Sequence, residues 1–115
     1  MIKKETFMYD EDLDRIMIFN KLKEGEKVYG SVDIFNLIID FTTDNRIANI
    51  EIKNVSEYLK SIDIDPKILQ ELTNAKISLQ QMRGGFLLKV LLKHKNDVEK
   101  VPFSIPTEEE LVITV

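Results

Sequence analysis

The apolar positions come in short runs with a period of two, which is the signature of strands. Phe7 to Tyr9 and Ile16 to Phe19 are rich in strand formers, and the acidic stretch YDEDLDR between them predicts a hairpin. A turn at 23–26, built on Gly25, precedes strand segments at Val28 to Asp33 and Ile34 to Phe41. In IFNLIIDF, Phe35, Leu37, Ile39 and Phe41 share one face, and Ile34, Asn36, Ile38 and Asp40 share the other. TTDNR (42–46) is a turn by composition, since Asp44 and Asn45 tolerate left-handed geometry. IANIEIK then alternates Ala48, Ile50 and Ile52 inward with Asn49, Glu51 and Lys53 outward, so a hairpin is predicted from Ile34 to Lys53.

The pattern changes after Lys53. Asn54 can accept from the free amides of a helix start, and Glu57, three residues on, can bond back, which predicts a short helix to about Ile62. Asp65-Pro66 has the form of a second helix start, with ILQEL as its body. Neither helix is long enough to persist alone, so both are expected to dock on a sheet. Strands return at 75–82 and 86–93, joined at Arg83-Gly84-Gly85, where glycines supply positive φ for a hairpin. Asn96-Asp97 marks a further turn, 101–106 an edge or final strand with its two prolines, and LVITV (111–115) a last strand-like segment. The expected fold class is α+β: mostly antiparallel sheet built from hairpins, with two short helices in the middle. A single domain spans 1–115, with hairpins and a short helix in 1–62 and a helix and strands in 63–115.

Composition narrows the function. The 115 residues carry a net charge of −4, and neither half is basic, which disfavours nucleic-acid binding by phosphate neutralisation. The absence of cysteine excludes disulfides, thiolate metal sites and cysteine nucleophiles. MIKKETFMYD has no apolar core of a signal peptide and no run reaches bilayer length, so a cytoplasmic protein outside the membrane is expected.

Candidate chemistry is sparse. Asp10, Asp12 and Asp14 have the alternate spacing that opens a calcium loop. Arg15 and Lys21, however, stand where that loop needs glycine and a closing glutamate. A weak divalent-metal site drawing on Asp10, Asp12, Asp14 and Glu51 is the residual possibility, set against a solvated turn. His94, the one histidine, reads as a surface residue near a turn. No nucleotide-binding or hydrolase motif occurs, and no cofactor or catalytic residue is expected. FLLKVLLK, taken as a strand, puts Phe86, Leu88, Val90 and Leu92 on one face and Leu87, Lys89, Leu91 and Lys93 on the other. Leu87 and Leu91 then need cover, which marks them as interface candidates for self-association.

The order of motifs resembles the DUF2283, or YuzE-like, family of small uncharacterised bacterial and archaeal proteins. Tyr9, Asp10 and Asp14 match a Tyr-Asp-x-x-x-Asp element before a strand; Arg46-Ile47 and Ile50-Glu51-Ile52 match the later turn and strand; Asn54 and Ser56 match the helix start. Asn45 and Ala48-Asn49 depart from the family's usual glycine and Val-Gly, and the resemblance covers roughly the first 60 residues. It implies a small β-rich fold and no catalytic activity. The reading of the chain as a whole is a non-enzymatic interaction module that self-associates as a dimer and binds another protein. The alternatives are an antitoxin or regulatory partner of a small toxin, and a weak divalent-metal-dependent enzyme.

Overall fold

Alternation in the first half of the chain becomes a six-stranded antiparallel sheet. The computed structural model describes residues 1–107 and 114. Its first sheet holds β1 (Ile2–Lys3), β2 (Phe7–Asp10), β3 (Arg15–Phe19), β4 (Val28–Ile34), β5 (Leu37–Thr42) and β6 (Ile47–Lys53), in the order β1-β2-β3-β6-β5-β4. Helix α1 (Val55–Ser61) and a 3-10 turn at Pro66–Gln70 lead into a second, three-stranded sheet of β7 (Leu72–Met82), β8 (Gly85–His94) and β9 (Asp97–Pro106). Every pairing between these strands is antiparallel. The LVITV segment lies outside the described residues except for Thr114, which forms a parallel bridge with Arg46.

Register explains the core. Across the first sheet one row runs Phe7, Ile18, Ile50, Ile39, Val32 and the next Tyr9, Ile16, Ile52, Leu37, Ile34. These rows are buried except at the β4 end, where pairing stops. In the second sheet Phe86, Leu88, Val90 and Leu92 face inward with Ala75, Ile77, Val101, Phe103 and Ile105. One connected cluster of buried side chains joins both inner faces with Val55, Leu59, Ile68 and Leu69. At about 25 cal/mol per Å² of apolar surface removed from water, this cluster supplies the main driving force for folding.

The α+β expectation with two helices is corrected: the fold is mostly antiparallel β-sheet, with one seven-residue helix and a lone 3-10 turn among the described residues. The capped start at Asp65-Pro66 is real, since the Asp65 carboxylate accepts from the Lys67 amide at 3.0 Å. Leu72, however, already belongs to β7 opposite His94. Only six residues, 66–71, remain between cap and strand, and five of them form one tight 3-10 turn that buries Ile68 and Leu69. No helix among the described residues is long and apolar enough to cross a membrane.

A second correction concerns IFNLIIDF. It is not one strand from Ile34 to Phe41, because the chain reverses at Phe35-Asn36 and Ile34 pairs with Leu37. Two-residue loops require a positive φ at their first central position to match strand twist, and Phe35 sits there at φ 55. Its ring is 68% exposed instead of joining the core face with Leu37 and Ile39. Phe35 therefore carries left-handed strain that its own packing does not offset. Replacing it with glycine relieves the strain and is expected to stabilise the protein by roughly 1 kcal/mol. Chemical denaturation would show a higher midpoint for Phe35→Gly, and a lower midpoint would contradict this account.

Candidate functional site

The acidic stretch that most suggests a site is consumed by local structure. Asp10 Oδ1 accepts from the amides of Asp12 and Leu13 at 3.0 and 3.2 Å, closing the turn between β2 and β3. Asp12 is exposed. Asp14, at φ 51, reaches 42 positions along the chain. Its carboxylate accepts from the Ser56 amide at 3.1 Å and the Ser56 hydroxyl at 2.7 Å, and its carbonyl accepts from the Val55 amide at 3.0 Å. These are first-turn groups of α1. The predicted cap, Asn54, has left-handed backbone and makes no side-chain capping bond. Asp14 performs that role from another element.

Glu51 lies on the outer face of β6 and pairs with Arg15, whose Nη1 is 3.5 Å away. Arg15 and Lys53 continue the row that begins at Asp10. Arg15 thus stands between Asp10 and Glu51, where a metal would have to sit, while the Lys53 ammonium turns away to Asp33. Among the described residues no three His, Asp or Glu side chains converge as a potential metal site. Tyr9 is buried beside this turn, and burial together with the charges of Asp14, Glu11 and Asp10 raises its phenol above the ordinary 10.0.

A polar cluster that the sequence did not announce lies at the start of β4. The Glu26 side chain has no exposed surface and Arg46 retains only 14%. Glu26 Oε1 accepts from the Lys23 amide at 2.9 Å and from Arg46 Nη1 at 2.6 Å, while Oε2 accepts from the Thr42 hydroxyl at 2.7 Å. Thr42 Oγ1 in turn accepts from the amides of Asp44 and Arg46. The cluster ties the 23–26 turn to the β5–β6 turn, and both carboxylate oxygens are occupied, so it functions as a staple. His94 also departs from expectation: it takes the last inward position of β8 and is 9% exposed. Neither ring nitrogen has a hydrogen-bond partner among the described residues, and Glu99 Oε1 stands 3.7 Å from Nε2.

Two surfaces remain available for contact. On the outer face of the second sheet, Leu91 has Lys76 and Lys100 as cross-strand neighbours and Lys89 and Lys93 two residues away along β8. Leu87, between Gln80 and Ser104, and Leu91 are both half-buried. A groove of about 510 Å³ runs alongside, lined by Lys76, Ser78, Gln81, Leu91 and Thr114 among others. It has no carboxylate or imidazole among its described lining residues.

The other surface is β4. This edge strand exposes Val28 at 46%, Tyr29 at 64% and Val32 at 45%, and the turn that follows it exposes Phe35. Comparison with protein-family profiles, with curated proteins and with solved structures finds no match. The surfaces must therefore be read from their own chemistry. By that measure β4 and its turn are the functional candidate, an apolar strand edge left exposed among the described residues.

Two outcomes follow. Asp14→Ala is expected to cost about 1–2 kcal/mol through loss of the α1 cap, whereas Asp12→Ala changes stability little, as thermal or urea unfolding would show. The Glu26 carboxyl is held below its ordinary value of 4.5, chiefly by the Lys23 amide and the Thr42 hydroxyl, with Arg46 adding to them against the opposing effect of burial. Its stabilisation is complete above that ordinary value and is lost as pH falls through the lower folded-state value. Glu26→Gln should weaken the protein at neutral pH and flatten its loss of stability between about pH 5 and 3, measured by unfolding across that range.

Proposed function

We propose that the protein is a non-catalytic interaction module, cytoplasmic and self-associating, whose docking element is the β4–β5 hairpin. One observation carries this reading: four large apolar side chains, Val28, Tyr29, Val32 and Phe35, stand exposed along one edge strand and its turn. Exposed edges invite pairing, and proteins usually blunt them. Here the edge instead ends in an aromatic ring held at a strained φ. Strain of about 1–3 kcal/mol at an exposed residue fits a contact made elsewhere than in the fold itself. The resemblance of residues 9–59 to DUF2283 proteins, which implies no catalysis, is consistent with this proposal. The acidic residues support it indirectly, because each of Asp10, Asp14 and Glu51 already has a structural partner.

The test is site-specific photocrosslinking in cells, with a photoreactive residue at position 29 or 35 and a control at the exposed Lys60. Defined adducts from positions 29 and 35, with none from 60, are expected. Equal labelling at all three, or none at the hairpin, would remove the hairpin as the docking element.

A further inference from the structure

The chain is acidic as a whole, with a net charge of −4, but its second sheet is not. Between Leu72 and Pro106 the sequence holds Lys76, Arg83, Lys89, Lys93, Lys95 and Lys100 against Asp97 and Glu99. Register then sorts these charges by face. Lys76, Leu91 and Lys100 form one cross-strand row on the outer side, with Lys89 two residues before Leu91 on β8 and Lys93 two residues after it. The flanking positions of the adjoining outer rows, Asn74, Ser78, Gln80, Val98, Pro102 and Ser104, are all uncharged. Glu99 belongs to the other side, opposite the buried Leu92 and beside His94, and Asp97 begins β9 opposite His94. Lys95 is paired with Glu71. Among the described residues none of the four outer lysines makes an ion pair.

Strand spacing and rise set neighbouring members of this group about 8 Å apart at the backbone. That is comparable with the screening length at physiological salt, so the lysines repel one another and an anionic partner relieves the repulsion. A second copy docked through the same face would bring four more lysines, which excludes it as the occupant. The rows hold no arginine and no aromatic ring, since Phe86 and Phe103 point into the core, so nucleic-acid bases have nothing to stack on. Leu87 and Leu91 are half-buried, too shallow to insert into a bilayer. Along β8 the outer positions read Leu87, Lys89, Leu91, Lys93, an apolar residue and a cation in turn, about 7 Å apart. A polypeptide can match that alternation, because it carries carboxylates and apolar side chains at the same spacing. We propose that the outer face of the second sheet, centred on Leu91, docks an acidic segment of another protein in which carboxylates alternate with apolar side chains. Lys76, Lys89, Lys93 and Lys100 receive the carboxylates, and Leu87 and Leu91 meet the apolar groups between them. The site is separate from the β4–β5 hairpin and does not rest on it.

Fluorescence anisotropy with a labelled peptide of repeating Glu-Ser-Leu-Ser tests this, since its same-face residues alternate acid and leucine when it is extended. The intact chain should bind it saturably, more weakly as salt rises, and more tightly than a peptide with serine in place of each leucine. Lys76→Glu with Lys100→Glu should weaken binding by about tenfold. Lys60→Glu with Lys67→Glu, an equal change of net charge at exposed positions of α1 and the 3-10 turn, should leave it unchanged. The milder pair Lys89→Gln and Lys93→Gln should also weaken it, and Leu91→Thr should abolish the preference for leucine. Circular dichroism checks that each variant keeps the fold. Equal loss in the Lys60 and Lys67 control, or a Leu91→Thr protein that still prefers leucine, would overturn the proposal. So would tighter binding of a single-stranded oligonucleotide or of phosphatidylserine vesicles than of the peptide. The intact chain includes Glu108, Glu109 and Glu110, and a face already filled by them would leave the peptide unbound, which also overturns it.

Discussion

The pairing of β3 with β6 governs the rest of the molecule. It sets Ile16 against Ile52 and Ile18 against Ile50 at the centre of the six-stranded sheet, and all four side chains are fully buried. β2 and β5 extend the same two rows on either side, and the second sheet closes over them. A slip of one residue would turn every isoleucine to the opposite face and bring Met17, Glu51 and Asn49 inward. The register is therefore held by burial across four strands at once. Without that agreement no single hairpin of this length would be stable in water.

Around this core the charged residues act mainly as ties. Asp14 links the β2–β3 turn to the start of α1, and Glu26 links the 23–26 turn to the β5–β6 turn through Thr42 and Arg46. Each tie fastens an irregular segment whose backbone amides have no ladder partner. A buried carboxylate is tolerable only when its oxygens are hydrogen-bonded, and Glu26 meets that condition with three donors. An acidic composition does not by itself indicate a metal or a reaction when acids such as Asp10, Asp14 and Glu51 already have structural partners.

The edges show where structure and function part. Proline, shortness and the covering side chains of Tyr58 and Thr6 protect three of them. Among the described strands β4 alone combines seven residues, exposed valines and an aromatic tip. The lysines around Leu91 mark a surface of the second sheet. Its register sets Leu91 between Lys76 and Lys100, an apolar residue bordered by cations on the outer face.

What the sequence by itself determined was the alternation of apolar residues. Ile16, Ile18, Ile50 and Ile52, the turn at Asp44-Asn45 and the reversal at Arg83-Gly84 are local patterns, and the strands form where those patterns lie. The tertiary structure decided what depends on residues far apart in the chain. The turn at Phe35-Asn36 fell inside an apolar segment where Asn36 is the one turn-prone residue, and the reversal shows only in the pairing of Ile34 with Leu37. The cap of α1 came from Asp14 because folding brings the β2–β3 turn to the helix start, which no local spacing encodes. The second helix shrank to a 3-10 turn because β7 begins at Leu72. The clustering of Lys76, Lys89, Lys93 and Lys100, the burial of His94 and the open edge of β4 likewise exist only once strand order and register are set. Local propensity chooses the elements, but exposure and proximity are properties of the packed whole.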